Sequence, residues 1–106
     1  MTRVDFLVTE DGAIRGFRLS GHSGAGVSGE DIVCAAISSA AFLTANTITE
    51  VIRAQAVVEA EEGYMYLSVP KKDLGRCADL LNGLKLHLLS LEEQYPENLN
   101  VFYLEV

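Results

Sequence analysis

Hydrophobic and polar residues alternate at the start of this chain, then take up a helical period, and the same switch recurs in the second half. Val4, Phe6 and Val8 alternate with Asp5 and Thr9, the pattern of a half-buried strand. Asp11-Gly12 supplies a hairpin turn, and Ala13 to Ser20 returns as a second strand in which Gly16 marks a bulge. Val33, Ile37, Ala40, Thr44, Thr47 and Val51 recur at helical spacing and predict a helix from about Ile32 to Ile52, whose Ala and Ser content allows close packing. Val57 and Val58, a Glu61-Glu62-Gly63 turn and Tyr64 to Val69 form a second hairpin, with Met65, Leu67 and Val69 on one face and Tyr64 and Tyr66 on the other. Leu74, Cys77, Leu81, Leu84, Leu88, Leu91 and Tyr95 then repeat at alternating steps of three and four, one continuous apolar stripe. Pro96 ends that helix, and Leu99 to Val106 closes the sheet. The order is β-β-α-β-β-α-β: an α+β fold with two helices packed on a mixed five-stranded sheet, one domain over residues 1–106. Strand order stays open, because a hairpin partnership of the first two strands competes with the neighbours that a simple ferredoxin-like sheet would give them.

Leu80, Leu86 and Leu89 lie outside the stripe of the second helix and widen its apolar surface beyond what one sheet face needs, which suits a homodimer contact. A chain of 106 residues with 49% hydrophobic content has enough for one modest core. No secretory apolar segment opens it and no stretch is expected to reach the length of a transmembrane helix, so a soluble, cytoplasmic protein without membrane contact is expected. The two cysteines, Cys34 and Cys77, are too few for a disulfide scaffold; no CxxC pair or His/Cys cluster has metal spacing, and neither a metal nor a cofactor is expected. Fifteen Asp and Glu against eight Lys and Arg give a formal net charge of −7, which disfavours direct nucleic-acid binding and suits a basic protein partner; the same charge also serves solubility alone.

The candidate chemistry is concentrated in a glycine-laced loop, Gly21-His22-Ser23-Gly24-Ala25-Gly26-Val27-Ser28-Gly29, and the helix start after it, Asp31-Ile32-Val33-Cys34-Ala35-Ala36. Asp31 is a favoured N-cap type, which would set Cys34 at the third helical position, where the positive end of the helix favours a thiolate. His22 lies twelve residues upstream, within reach of a folded-back loop, and would act as the base. A small buried core thiol accounts for Cys34 equally simply, since free cysteine is among the most buried residue types. The loop also admits phosphate binding, although no Lys-Ser or Lys-Thr follows its last glycine and the GxGxxG context is missing. Asp31 reads first as a cap and second as an orienter of His22. Ser38, one turn below Cys34, either hydrogen-bonds near the site or packs small. Cys77 falls on a core stripe, and His87 sits among leucines as a packed or interface residue.

Gly21-His22, followed at this distance by Gly29-Glu30-Asp31-Ile32-Val33-Cys34-Ala35-Ala36-Ile37-Ser38, resembles the signature of the Prp family of bacterial ribosomal-processing cysteine proteases. The resemblance extends over the whole chain, through Asn46 and the second helix ending at Tyr95-Pro96; Ser23 stands where alanine is expected more often. It implies a Cys34–His22 catalytic dyad with Gly21, Asp31 and Ser38 as supporting residues, and it implies a homodimer. It further implies a basic substrate, large-subunit ribosomal protein number twenty-seven, which carries a short N-terminal extension removed after a pair of aromatic residues and before a small one. Three other classes compete on the residues alone: a ribosome-associated binding or assembly factor, a small phosphate-ligand module using the glycine loop as a nest, and a noncatalytic dimerisation domain.

Overall fold

The computed structural model describes residues 1–21 and 28–106, and at 28–31 the backbone alone. Strands β1 (Thr2–Val8) and β2 (Ile14–Ser20) are followed by helix α1 (Ser28–Asn46), which runs into a π-helical turn, Thr47–Ile52. Strands β3 (Val57–Glu61) and β4 (Tyr64–Ser68) follow, then a 3-10 turn at Lys71–Asp73, helix α2 (Leu74–Gln94) and strand β5 (Leu99–Glu105). The order of elements and the α+β class are those expected from the hydropathy pattern.

The sheet has the order β3-β4-β2-β1-β5. Each hairpin keeps its partners adjacent, β2 pairs with both β1 and β4, and β5 joins β1 in parallel, which makes the sheet mixed. The register slips between Leu7 and Val8 opposite Gly16 and Ile14, so the expected bulge is present. Gly16 is required there by close approach: a Cβ would fall 1.9 Å from the carbonyl oxygen of Leu67 on the neighbouring strand.

Alternation gives the sheet two unlike faces. Val4 and Phe6 of β1, Phe17 and Leu19 of β2 and Met65 and Leu67 of β4 lie level with one another and are buried in one core with both helices. Burial of such side chains contributes roughly 1.5–3 kcal/mol each. Helix α2 enters this core through Cys77, Leu81, Leu84 and Leu88, as the stripe predicts. On the opposite face Asp5 is fully buried, bonded by Arg3 at 3.0 Å and Arg18 at 3.2 Å, while the Arg3 guanidinium lies 4.1 Å above the Phe102 ring.

Helix α1 departs from expectation at both ends. It begins at Ser28, one turn before Asp31, so Asp31 is a residue of the helix and not its cap. Serine is itself a good helix-start residue, and Glu30 and Asp31 suit the positive end of the first turn, so nothing stops the helix from extending upstream. At the other end the expected stripe breaks down. Val33, Ile37, Ala41, Ala45 and Ile48 are buried, whereas Val51 is 74% exposed. Three steps of four and one of three take the buried line to Ile48 inside the π turn, which leaves Val51 off that line, and the left-handed Arg53 (φ 62°) stops the helix. Contrary to the sequence expectation, Ile32–Ile52 is apolar and long enough to span a membrane by length and mean hydropathy (21 residues, 1.6). Its buried line packs into the core with the strands, while Ile32, Phe42, Leu43 and Val51 on its other faces are exposed.

Candidate active site

Cys34 owes its position to Val33 and Ile37, the buried residues that lock α1 onto the sheet. One residue round the helix from Val33, its side chain turns away from the centre of the core toward the end of the sheet and is half-buried. There it lines a cleft of about 100 Å³ with Thr2, Leu19, Gly21, Ile37, Ser38, Phe42, Glu61, Gly63, Tyr64 and Met65. The register explains this gathering. Ser20 pairs with Tyr64 and with Arg3, and Tyr64 pairs with Glu61, so the start of β1, the end of β2 and the β3–β4 turn all meet at one end of the sheet.

Two features of this end depend on particular residues. Gly21 adopts a positive φ of 85° as the chain leaves β2, and a Cβ there would come within 2.6 Å of the Met1 carbonyl oxygen. Only glycine takes that turn without strain. Thr2, which opens β1, is buried, and its hydroxyl oxygen lies 3.9 Å from Cys34 Sγ.

Three of the residues singled out in the sequence, Gly21, Cys34 and Ser38, therefore share one cleft. His22, with the loop 22–27, and the side chain of Asp31 lie outside the described residues. The expectation that Cys34 occupies the third helical position is corrected: with α1 starting at Ser28 it is the seventh residue of the helix. Six residues of rise set it about 9 Å along the axis. A helix end acts within its first turn, so its positive pole reaches Cys34 weakly, and the N–H of Cys34 belongs to the helical ladder.

Sequence reasoning missed Thr2, Phe42 and the β3–β4 turn as members of the cleft. The signal available for Thr2 was strand alternation, which puts it on the face of Val4 and Phe6; that this face meets α1 at Cys34 required the register. A larger cavity, about 530 Å³, lies between α1 and α2, lined by Ala36, Ser39, Ala40, Leu43, Thr44, Asp79, Leu80, Gly83, Leu84 and His87. It contains neither cysteine. The smaller cleft holds the half-buried thiol. Cys77 is fully buried; burial pushes its thiol pKa up, Asp73 adds to this and Arg76 partly offsets it.

A half-buried thiol in a cleft at the end of a mixed sheet, backed by a helix, is a candidate nucleophile. The family model described as cysteine protease Prp matches residues 1–100, and the chain belongs to that family of cysteine proteases. The ribosomal processing cysteine protease Prp of Staphylococcus aureus (strain Mu50 / ATCC 700699) is 26% identical over 105 residues, covering 97% of this chain and 99% of the relative. That of Bacillus subtilis (strain 168) is 27% identical over 99 residues and 88% of each chain. Among solved structures, the S. aureus protease with a covalently linked product peptide superposes with a TM-score of 0.86 at 25% identity, covering 98% of this chain and all of that one. SMU.848 from Streptococcus mutans shares the fold, with a TM-score of 0.89 at 24% identity over 100% of this chain and 96% of that one. Family membership stands in place of the noncatalytic readings.

Proposed function

We propose that this protease removes a short N-terminal extension from large-subunit ribosomal protein number twenty-seven, with Cys34 as nucleophile and His22 as base. The observation that carries the reading is the contrast in access between the two thiols: Cys34 opens into a cleft, and Cys77 does not. Gly21, to which His22 is bonded, lines the same cleft. Two relatives are named for ribosomal processing, and the S. aureus protease has been solved with a substrate peptide and with a covalently linked product peptide. Leu19, Ile37, Phe42, Tyr64 and Met65 offer an apolar lining suited to a large side chain before the cut, and Glu61 with the net charge of −7 suits a basic substrate.

In the reaction His22 takes the thiol proton, and the Cys34 sulfur attacks the scissile carbonyl carbon, moving the π electrons onto oxygen. The resulting oxyanion is assigned to N–H groups at the start of α1. Collapse breaks the C–N bond, and the imidazolium gives its proton to the leaving amine. Water, deprotonated by His22, then attacks the thioester; collapse releases the acid, and the proton returns to the sulfur. Asp31 and Ser38 are assigned supporting roles, and Gly21 sets the path of the chain into His22.

Incubating the purified protein with the extended ribosomal protein and reading the product by mass tests this. Loss of the extension is expected, with none in Cys34→Ala or His22→Ala; wild-type turnover by Cys34→Ala overturns the assignment.

The reading includes a cytoplasmic location and a homodimer. Leu43, 66% exposed and lining the groove between the helices, and Leu86 of α2, 68% exposed, support a second copy packing on the helices. Sedimentation is expected to give twice the chain mass, and Leu86→Glu to give the monomer.

A further inference from the structure

We infer that Thr2 is a positioning residue for the nucleophile, its hydroxyl donating to the Cys34 sulfur across the 3.9 Å that separate them. The inference rests on the reading of Cys34 as the attacking group. Thr2 opens β1, the strand held by β2 on one side and β5 on the other, and its side chain is only 4% exposed. Its backbone N–H donates to the Asn98 carbonyl at 2.9 Å, and a β-branched side chain on a strand has few rotamers, so the hydroxyl is fixed in direction. Val4 and Phe6 follow on the same face, both fully buried, so the pattern of β1 would accept valine at its first position. A buried hydroxyl is unfavourable unless bonded, and among the described residues its partner is Cys34 Sγ.

The chemistry sets the direction of that bond. A thiol and a hydroxyl can each donate, but a thiolate only accepts, so once Cys34 has lost its proton the Thr2 O–H must point at sulfur. At 3.9 Å the contact is long for the neutral pair, and charge-assisted bonds are shorter and stronger, so it tightens as negative charge develops and relaxes when the sulfur becomes a thioester. Thr2 thereby offsets part of what the late position of Cys34 in the helix forgoes. It exchanges no proton; His22 does that.

Two other titratable groups share the cleft with the sulfur, Glu61 and Tyr64, while Arg3 and Asp5 lie on the far face of β1. Comparing Thr2 variants changes none of these. In the full chain, Thr2→Val is expected to raise the pH midpoint of iodoacetamide modification of Cys34 by about one unit and to lower kcat about tenfold with KM within about twofold, one pH unit being a factor of ten. Thr2→Ser, which keeps the hydroxyl, restores both. Thr2→Ala serves if the valine variant does not fold, and thermal unfolding checks each. An unchanged midpoint and kcat in a folded variant lacking the hydroxyl overturns the proposal, as does a serine variant as impaired as valine. If Cys34→Ala is inactive while Thr2→Val matches wild type, the role of Thr2 alone fails; if Cys34→Ala still cleaves, the nucleophile assignment fails and this proposal with it.

Discussion

The two cysteines lie on two helices that pack against the same sheet, yet their surroundings diverge completely. Cys77 falls on the line Cys77, Leu81, Leu84, Leu88 that enters the core, is fully buried, and has its thiol pKa pushed up by burial and by Asp73. Cys34 falls one residue off the line Val33, Ile37, Ala41, Ala45 and emerges at the end of the sheet beside Thr2 and Gly21. A step of about 100° round a helix thus separates a thiol sealed in the core from one that opens into a cleft. Proximity to charge works in the same sense, since Cys77 has the carboxylate of Asp73 as a neighbour, which opposes the thiolate form.

The sharpest way to break this comparison is to remove each sulfur in turn. On the proposed assignment of Cys34 as nucleophile, Cys34→Ala is expected to lower kcat/KM on the extended ribosomal protein by about 10⁴-fold or more while leaving the unfolding midpoint nearly unchanged, because a nucleophile acts as an indivisible part of its catalytic unit. Cys77→Ala is expected to do the reverse, keeping turnover within about twofold where the protein is folded. Turnover measured by mass, set against denaturant unfolding of the same samples, decides it; loss of activity in a folded Cys77→Ala protein would erase the division of labour.

Chemical modification gives the next largest contrast. Iodoacetamide is expected to label Cys34 at least about 100-fold faster than Cys77 under native conditions, since Cys77 can react only when the core opens. Peptide mapping of the labelled protein reads the ratio, and it should collapse toward unity in denaturant. Comparable native rates would mean that Cys77 is not held in the core as described.

The size of the stability effect separates the two sites further. Cys77→Ser places a hydroxyl among Leu81, Leu84 and their neighbours and is expected to destabilise by about 1–3 kcal/mol. Cys34→Ser, in a cleft already lined by Thr2 and Ser38, is expected to shift stability by less than about 0.5 kcal/mol. Equal losses at the two positions would contradict the difference in burial.

This difference was unevenly legible in the sequence. The stripe of α2 places Cys77 in the core without a structure, because steps of three and four over seven residues define one face of a helix. The strands were equally readable from alternation, and Gly16 announced the bulge. The start of α1 was not, because Ser28 and Asp31 are both good start residues and nothing local chooses between them. Nor was Val51, whose exposure follows from a π turn that no residue in Thr47–Ile52 signals on its own. Gly21, Cys34 and Ser38 were identified together, but their shared cleft depends on β1 meeting α1 at Thr2, a long-range contact that periodicity within either element does not encode.

The finest test concerns the charges that surround the buried thiol and not the open one. Burial raises the carboxyl pKa of Asp73, but the N–H of Gln55 at 3.2 Å and the Arg76 guanidinium at 3.0 Å outweigh it and hold the group below the ordinary carboxylate range. A depressed folded pKa means that the unfolded chain binds the proton more readily. The stability this carboxylate supplies is therefore present above the unfolded value of about 3.9 and is lost as the pH falls through the lower folded value. Cys77 has the opposite sign: its raised folded pKa supplies stability that is complete below about 8.5 and is lost as the pH rises through the folded value. Unfolding measured from pH 3 to pH 10 is expected to show both flanks in the wild type. Asp73→Asn should flatten the acid flank and lower the plateau, and Cys77→Ala should flatten the alkaline flank, while Cys34→Ala should leave the acid flank of the wild type in place. An acid flank that survives intact in Asp73→Asn would show that the bonds from Gln55 and Arg76 do not couple that carboxylate to folding.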